Sequence, residues 1–162
     1  MTEIVFYHLT ESRMEDALPS LVEKCRERDW NVIVEAERAE TSQSLDQHLW
    51  SYRPESFLPH AIALGDETEN AAQPILLTHN VEIVAQNPNT AQARFCIGGA
   101  EPLGTDAAGA KIIEPFERVM ILFDGDDEDA VAKARDHWKA LKALGHGISY
   151  WQQEDGRWAK KA

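Results

Sequence analysis

The sequence predicts an α/β fold, and three features carry that expectation. Ile4-Val5-Phe6-Tyr7-His8-Leu9 is a compact run of β-branched and aromatic residues, the pattern of a buried strand. From about Ser12 to Arg28, Met14, Ala17, Leu18, Leu21, Val22 and Cys25 recur at helical spacing. Trp30-Asn31-Val32-Ile33-Val34 then returns to an extended pattern. Strand–helix–strand in this order implies a right-handed crossover between a parallel pair. Pro19 falls inside the helical stretch, where its missing N–H either kinks the helix or moves its start.

The remaining elements follow the same logic. A second helix is expected to open near Thr41 or Ser42, whose hydroxyls can cap free backbone N–H groups, and to end at Trp50. A short strand covers His60 to Leu64, and Gly65 to Ala72 reads as an acidic loop. Pro74 to Thr78 and Ala93 to Ile97 are buried strands, with Asn87-Pro88-Asn89 a turn between them and Gly98-Gly99 ending the second. Glu101 to Ala110 has the glycine and proline of a surface loop. Glu117 to Phe123 is a strong strand, and the acids from Asp124 to Asp129 favour the positive start of the helix that runs to about Leu144, with Gly145 as its C-terminal cap. Ile148 to Gln153 and Gly156 to Lys160 flank Asp155-Gly156 as a hairpin.

A chain of 162 residues with 43% hydrophobic content fits a single domain with a proper core. The formal net charge of −12 argues against direct nucleic-acid binding, which requires a basic surface. No basic segment precedes an apolar stretch at the N-terminus, and no apolar run approaches the roughly 20 residues of a spanning helix, so neither export nor a membrane partner is expected. Cys25 and Cys96 fit no metal knuckle or redox pair and read as free thiols of a reducing cytosol.

Recognisable chemistry is missing. The first strand leads into Thr10-Glu11-Ser12-Arg13 without a glycine, so no backbone cradle for a phosphate is expected there, and no nucleotide-binding loop occurs elsewhere. No cofactor is implied. None of the six histidines has metal-ligand spacing, and none makes a zincin pair. The acids at 124–129 lack the glycine and terminal glutamate of a calcium loop. His60, beside Pro59 at a strand start, is the one histidine that invites a catalytic reading, with a ring that satisfies backbone groups as the plainer account.

Two features point instead to docking. Trp50 and Phe57 stand seven residues apart across a loop and are placed to wall a pocket. On the last helix, Ala130, Ala134, Trp138 and Leu141 fall on one side and should pack on the sheet, while Arg135, Lys139 and Lys142 form a stripe bordering Trp138. A solvated helix face accounts for such a stripe on periodicity alone. On so acidic a chain it also suits an acidic peptide ending in an apolar residue and a carboxylate, which arginine clamps bidentately.

These residues, in this order, resemble the chi subunit family of bacterial DNA polymerase III. The resemblance rests on Val5-Phe6-Tyr7, the run from Leu45 to Trp50 with Phe57-Leu58-Pro59-His60, and Pro74-Ile75-Leu76-Leu77. It continues through Phe116-Glu117-Arg118-Val119, Ala134-Arg135 to Lys139, Gly145, Tyr150-Trp151-Gln152-Gln153 and Gly156-Arg157-Trp158. It covers nearly the whole chain, least well over Gly65 to Gln73 and Glu101 to Glu114.

The resemblance implies a three-layer α/β/α fold around a mixed, mostly parallel sheet, Rossmann-like without a nucleotide-binding loop. It also implies a non-catalytic cytoplasmic, nucleoid-associated replisome subunit of the clamp-loader complex. That subunit grips the acidic C-terminal tail of single-stranded DNA-binding protein (SSB), which ends in Pro-Phe. Carried over, Trp50 and Phe57 are pocket aromatics, Phe123 is an apolar pocket residue, and Arg135 is the key basic residue. Trp138 stands where an aromatic is usual, and Lys139 matches another tail-contacting lysine; the stripe adds Lys142. In some bacteria the family also binds a small psi subunit. The competing expectations are an α/β enzyme using His60 with a nearby acid, and a protein that binds single-stranded DNA directly.

Overall fold

In the computed structural model, residues 2–51, 58–105, 108–109 and 112–162 are described. The chain opens with strand β1 (Glu3–Leu9) and helix α1 (Met14–Glu27). Glu15 and Asp16 occupy the first turn of α1, where negative charge is favoured, and Lys24 and Arg26 the last. The helix runs through Pro19, which is buried among Ala17, Leu18, Leu21 and Val22, so packing outweighs the missing N–H. Strand β2 (Val32–Ala36) and helix α2 (Ala39–Ser51) follow. Helix α2 starts earlier than the cap signals imply. The N–H groups of Thr41 and Ser42 donate to the Arg38 carbonyl at 3.2 and 3.4 Å, so both residues lie inside the first turn and cap nothing.

Strand β3 (His60–Ile62) is shorter than expected, and the acidic segment after it is not all loop. It contains helix α3 (Glu67–Ala71), capped by the Asp66 carboxylate, which accepts from the N–H groups of Thr68 and Glu69. After β4 (Ile75–Thr78) comes a second helix absent from the sequence reading, α4 (Val81–Gln86), with Asn80 as N-cap and Asn87 in the left-handed region at φ 47°. Then come β5 (Ala93–Ile97), β6 (Arg118–Asp124) and α5 (Glu128–Ala143). A closing hairpin of β7 (Gly147–Glu154) and β8 (Arg157–Lys160) turns through Asp155 and Gly156, at φ 51° and 74°. Both values suit a two-residue turn that matches strand twist.

Among the described residues, eight strands form one open sheet in the order β3-β4-β2-β5-β6-β1-β7-β8. Every neighbouring pair is parallel except β7 with β8. The sheet is thus mixed and mostly parallel. One expectation fails: β1 and β2 are parallel but not neighbours, because β5 and β6 lie between them. Chain adjacency limits a connection's hand, whereas pairing is decided by which strand edges meet in the assembled sheet.

The period-two alternation of the strands divides the core. Val5, Leu9, Val34, Phe95, Met120 and Leu122 pack with Leu18, Leu21 and Val22 of α1 and Leu45 and Leu49 of α2. Ile4, Phe6, Ile33, Val119, Ile121 and Phe123 pack with Val84 of α4 and Ala134 and Leu141 of α5. Helices therefore cover both faces, giving three layers.

Candidate functional site

Helix α5 positions the cationic stripe. Asp127 caps it by accepting from the N–H groups of Asp129 and Ala130, and Glu128 and Asp129 fill its first turn. Ala134 and Leu141 are buried against the sheet and Ala130 packs at the margin, so the predicted inner face is the real one. Arg135, Lys139 and Lys142 are exposed. Among the described residues, no ion pair reaches any of the three.

Beside that stripe the strands assemble an aromatic cluster. In register, Phe6 lies between Ile121 and Tyr150, and His8 between Phe123 and Gln152. The Trp138 ring sits 5.6 Å from Phe6 and 5.9 Å from Tyr150, and Tyr150 is 6.0 Å from Phe123. His8 lies 4.9 Å from Phe123, and its Nδ1 is 2.6 Å from the Tyr150 hydroxyl. These spacings are those of favourable tilted and edge-on ring pairs. Burial pushes the Tyr150 hydroxyl above its ordinary pKa of 10.0, against the opposing charge of Arg135, so the phenol is neutral at physiological pH. Phe123 is 7% exposed, whereas Trp138 and Tyr150 are half-buried. Sequence reasoning missed Tyr150 and His8. Both follow a strand alternation, but only the pairing of β7 with β1 sets them beside α5.

The structure does not bring Trp50 to this cluster. Trp50 lies in the last turn of α2, is 57% exposed, and its ring lies 4.3 Å from that of His60 at the β3 edge. Helix α2 and helix α5 cover opposite faces of the sheet. From β3 across β4, β2, β5 and β6 to β1 is five strand spacings, about 24 Å. One cleft shared by Trp50 and Arg135 is therefore ruled out. Phe57 lies outside the described residues.

His60 is fixed in place. Its side chain has no exposed surface, Nδ1 lies 2.6 Å from the Leu58 carbonyl, and Nε2 lies 3.1 Å from the Asp46 carbonyl and 3.2 Å from the Asp46 carboxylate. A carboxylate is in reach, as an acid–base reading requires, but a substrate would have to displace the ring's own partners. The geometry ties α2 to β3.

The loop after β1, where α/β proteins often cradle a phosphate, is occupied by the chain itself. The consecutive N–H groups of Thr10, Glu11 and Ser12 all donate to the Gln153 side-chain oxygen, at 3.0, 3.0 and 3.1 Å. The Gln153 amide in turn donates to Ser12 Oγ at 2.7 Å. The donors an anion would use are taken by a neutral oxygen from β7.

A cavity of about 550 Å³ opens at the carboxyl ends of β2, β4 and β5, lined by Glu35, Glu37, His79 and Glu101 among others, and does not include Arg135 or Trp138. Among the described residues, no group of three or more His, Cys, Asp or Glu side chains is arranged to hold a metal ion. No helix among them is long and apolar enough to cross a membrane.

Fold and site together define an open-sheet α/β protein with Rossmann-like layering, a phosphate position closed by its own glutamine, and a cationic, aromatic face on its last long helix. The same fold recurs in the solved "Structure of the C-terminal domain of the DEAD-box protein Dbp5", with a TM-score of 0.52 at 15% identity over 90% of this chain and 88% of that one. The chain belongs to the DNA polymerase III chi subunit family: the family described as "DNA polymerase III chi subunit, HolC" matches residues 1–149. A relative from Rickettsia prowazekii (strain Madrid E), "Probable DNA polymerase III subunit chi", is 25% identical over 124 residues, 76% of this chain and 71% of that protein. Membership makes this an accessory subunit in DNA replication.

Proposed function

We propose that this chain is a non-catalytic adaptor of the clamp-loader complex that captures the acidic C-terminal tail of SSB on the outer face of α5. Arg135 receives the terminal carboxylate, and the last phenylalanine lies against Trp138 over the Phe123 cluster. Lys139 and Lys142 meet the acidic residues farther along the tail. The observation that carries this reading is the set of exposed cations that, among the described residues, make no ion pairs, beside half-buried rings on a chain of net charge −12. Trp50 belongs to a separate surface on this geometry and takes no part in the tail site. Docking to clamp-loader subunits, or to psi where it exists, uses surfaces other than this one.

A small interface of this kind binds at about micromolar strength, about −8 kcal/mol. Truncating its central arginine costs about 2 kcal/mol or more, roughly a thirtyfold loss. Calorimetry with an acidic peptide ending in Pro-Phe should therefore show binding by the parent chain and near-loss in Arg135→Ala. Affinity should also fall with added salt, because the lysine contacts are exposed and screened. Unchanged affinity in folded Arg135→Ala would remove the site.

A further inference from the structure

We infer that Tyr150 is a specificity-determining residue that donates a hydrogen bond to the terminal carboxylate of the peptide held by Arg135 when His8 is protonated. The inference rests on the tail-binding reading above, and it concerns residues that reading does not use.

A phenol has one proton to give. The Tyr150 oxygen lies 2.6 Å from His8 Nδ1, and the positive charge of Arg135 acts on it. Its proton therefore points either to His8 or away from it, and His8 decides which. The imidazole has little freedom to move. A Cβ on Gly125 would sit 2.2 Å from His8 Nε2 and 2.4 Å from Cδ2, so the turn after β6 closes directly over the ring. Phe123 packs on it at 4.9 Å.

The charged groups around His8 are Asp124 at the end of β6, Asp126 from the β6–α5 turn, Tyr150 from β7 and, through its charge on Tyr150, Arg135 from α5. The two aspartates flank Gly125, which closes over the Nε2 edge, and favour the ring proton there. Burial holds His8 below its ordinary pKa of 6.5, against the pull of those aspartates, so the ring is neutral at pH 7.5. In that state Nδ1 is an acceptor, the Tyr150 hydroxyl donates to it, and the phenol offers the carboxylate only lone pairs. When His8 gains a proton, Nδ1–H donates to the Tyr150 oxygen. The phenolic proton then swings outward, where a carboxylate accepts it. Reciprocally, bound carboxylate raises the pKa of His8.

The test is calorimetry with an acidic peptide ending in Pro-Phe, as free acid and as C-terminal amide, at pH 7.5 and 5.5. Parent chain should bind the free acid more tightly at the lower pH, by up to roughly tenfold as His8 fills with protons, the worth of one hydrogen bond to a charged acceptor. The amide should show no such gain. Tyr150→Phe should bind the free acid with the parent's pH 7.5 affinity at both values. His8→Leu leaves the phenol free to donate outward and should bind tightly at both. Equal parent affinity at the two pH values, or a pH response retained in Tyr150→Phe, overturns the inference. Nitrogen chemical shifts of the unliganded chain at pH 7.5 supply a separate readout: a proton on His8 Nδ1 overturns it even if peptide binds. Unchanged binding in Arg135→Ala, with the His8 tautomer as stated, would instead locate the failure in the tail-binding reading.

Discussion

Arg94 is fully buried, and removing its charge should cost more than removing any single exposed contact. Its Nε and Nη2 donate to Glu35 Oε1 at 3.1 and 2.6 Å. The remaining donors reach the carbonyls of Glu101 at 3.0 Å, Pro102 at 2.9 Å and Ile112 at 2.6 Å. One guanidinium thus neutralises a carboxylate at the end of β2 and holds both ends of the 101–112 segment. Arg94→Met keeps much of the side-chain volume but leaves Glu35, 6% exposed, without its counter-charge. Breaking a buried pair from one side costs about 3–5 kcal/mol. Because Glu35 borders a cavity open to water, the lower end of that range, about 3 kcal/mol, is expected. That is a large share of a typical total of about 5–15 kcal/mol. Urea unfolding measures the loss, and adding Glu35→Gln to Arg94→Met should recover part of it by removing the stranded charge. Amide exchange at Ile112, whose N–H donates to Gly104 at 3.0 Å, should accelerate in Arg94→Met before global unfolding. A loss below about 1 kcal/mol, or a double variant no better than the single, would refute the argument that the stranded carboxylate dominates.

Two further predictions concern groups hidden in the fold. Gln153→Ala removes the shared acceptor of the Thr10, Glu11 and Ser12 N–H groups, and urea unfolding should register a loss of about 1–2 kcal/mol, moderated because water can reach this rim. Burial pushes the Cys25 and Cys96 thiols from 9.0 to about 11 and about 12, and the Tyr7 hydroxyl from 10.0 to about 12. Both thiols should therefore resist alkylation at pH 8 until the chain unfolds. For each group the folded form holds its proton more tightly than the unfolded form. Their contribution is complete below about pH 9 and is lost as pH climbs toward 12, so the urea midpoint should fall between pH 8 and pH 10.5.

What the sequence by itself determined was local. The apolar runs at β1, β4, β5 and β6 are legible because a strand buried on both faces is made mostly of apolar side chains, with the paired Arg94 of β5 as an exception. The inner face of α5 is legible because Ala134 and Leu141 recur at the helical period, and the turn at Asp155-Gly156 because both positions take positive φ. Short helices α3 and α4 were hidden, since five or six residues carry too few periodic positions and their caps, Asp66 and Asn80, look like ordinary turn residues. The order of strands was hidden for a different reason. It depends on which edges pair across more than a hundred residues, as Tyr7 does with Leu122 and Trp151. That order carried Trp50 to the β3 edge on one face and set Tyr150, bonded to His8, against Trp138 of α5 on the other. Periodicity gives each side chain its face within an element, while only the assembled sheet says which elements share that face.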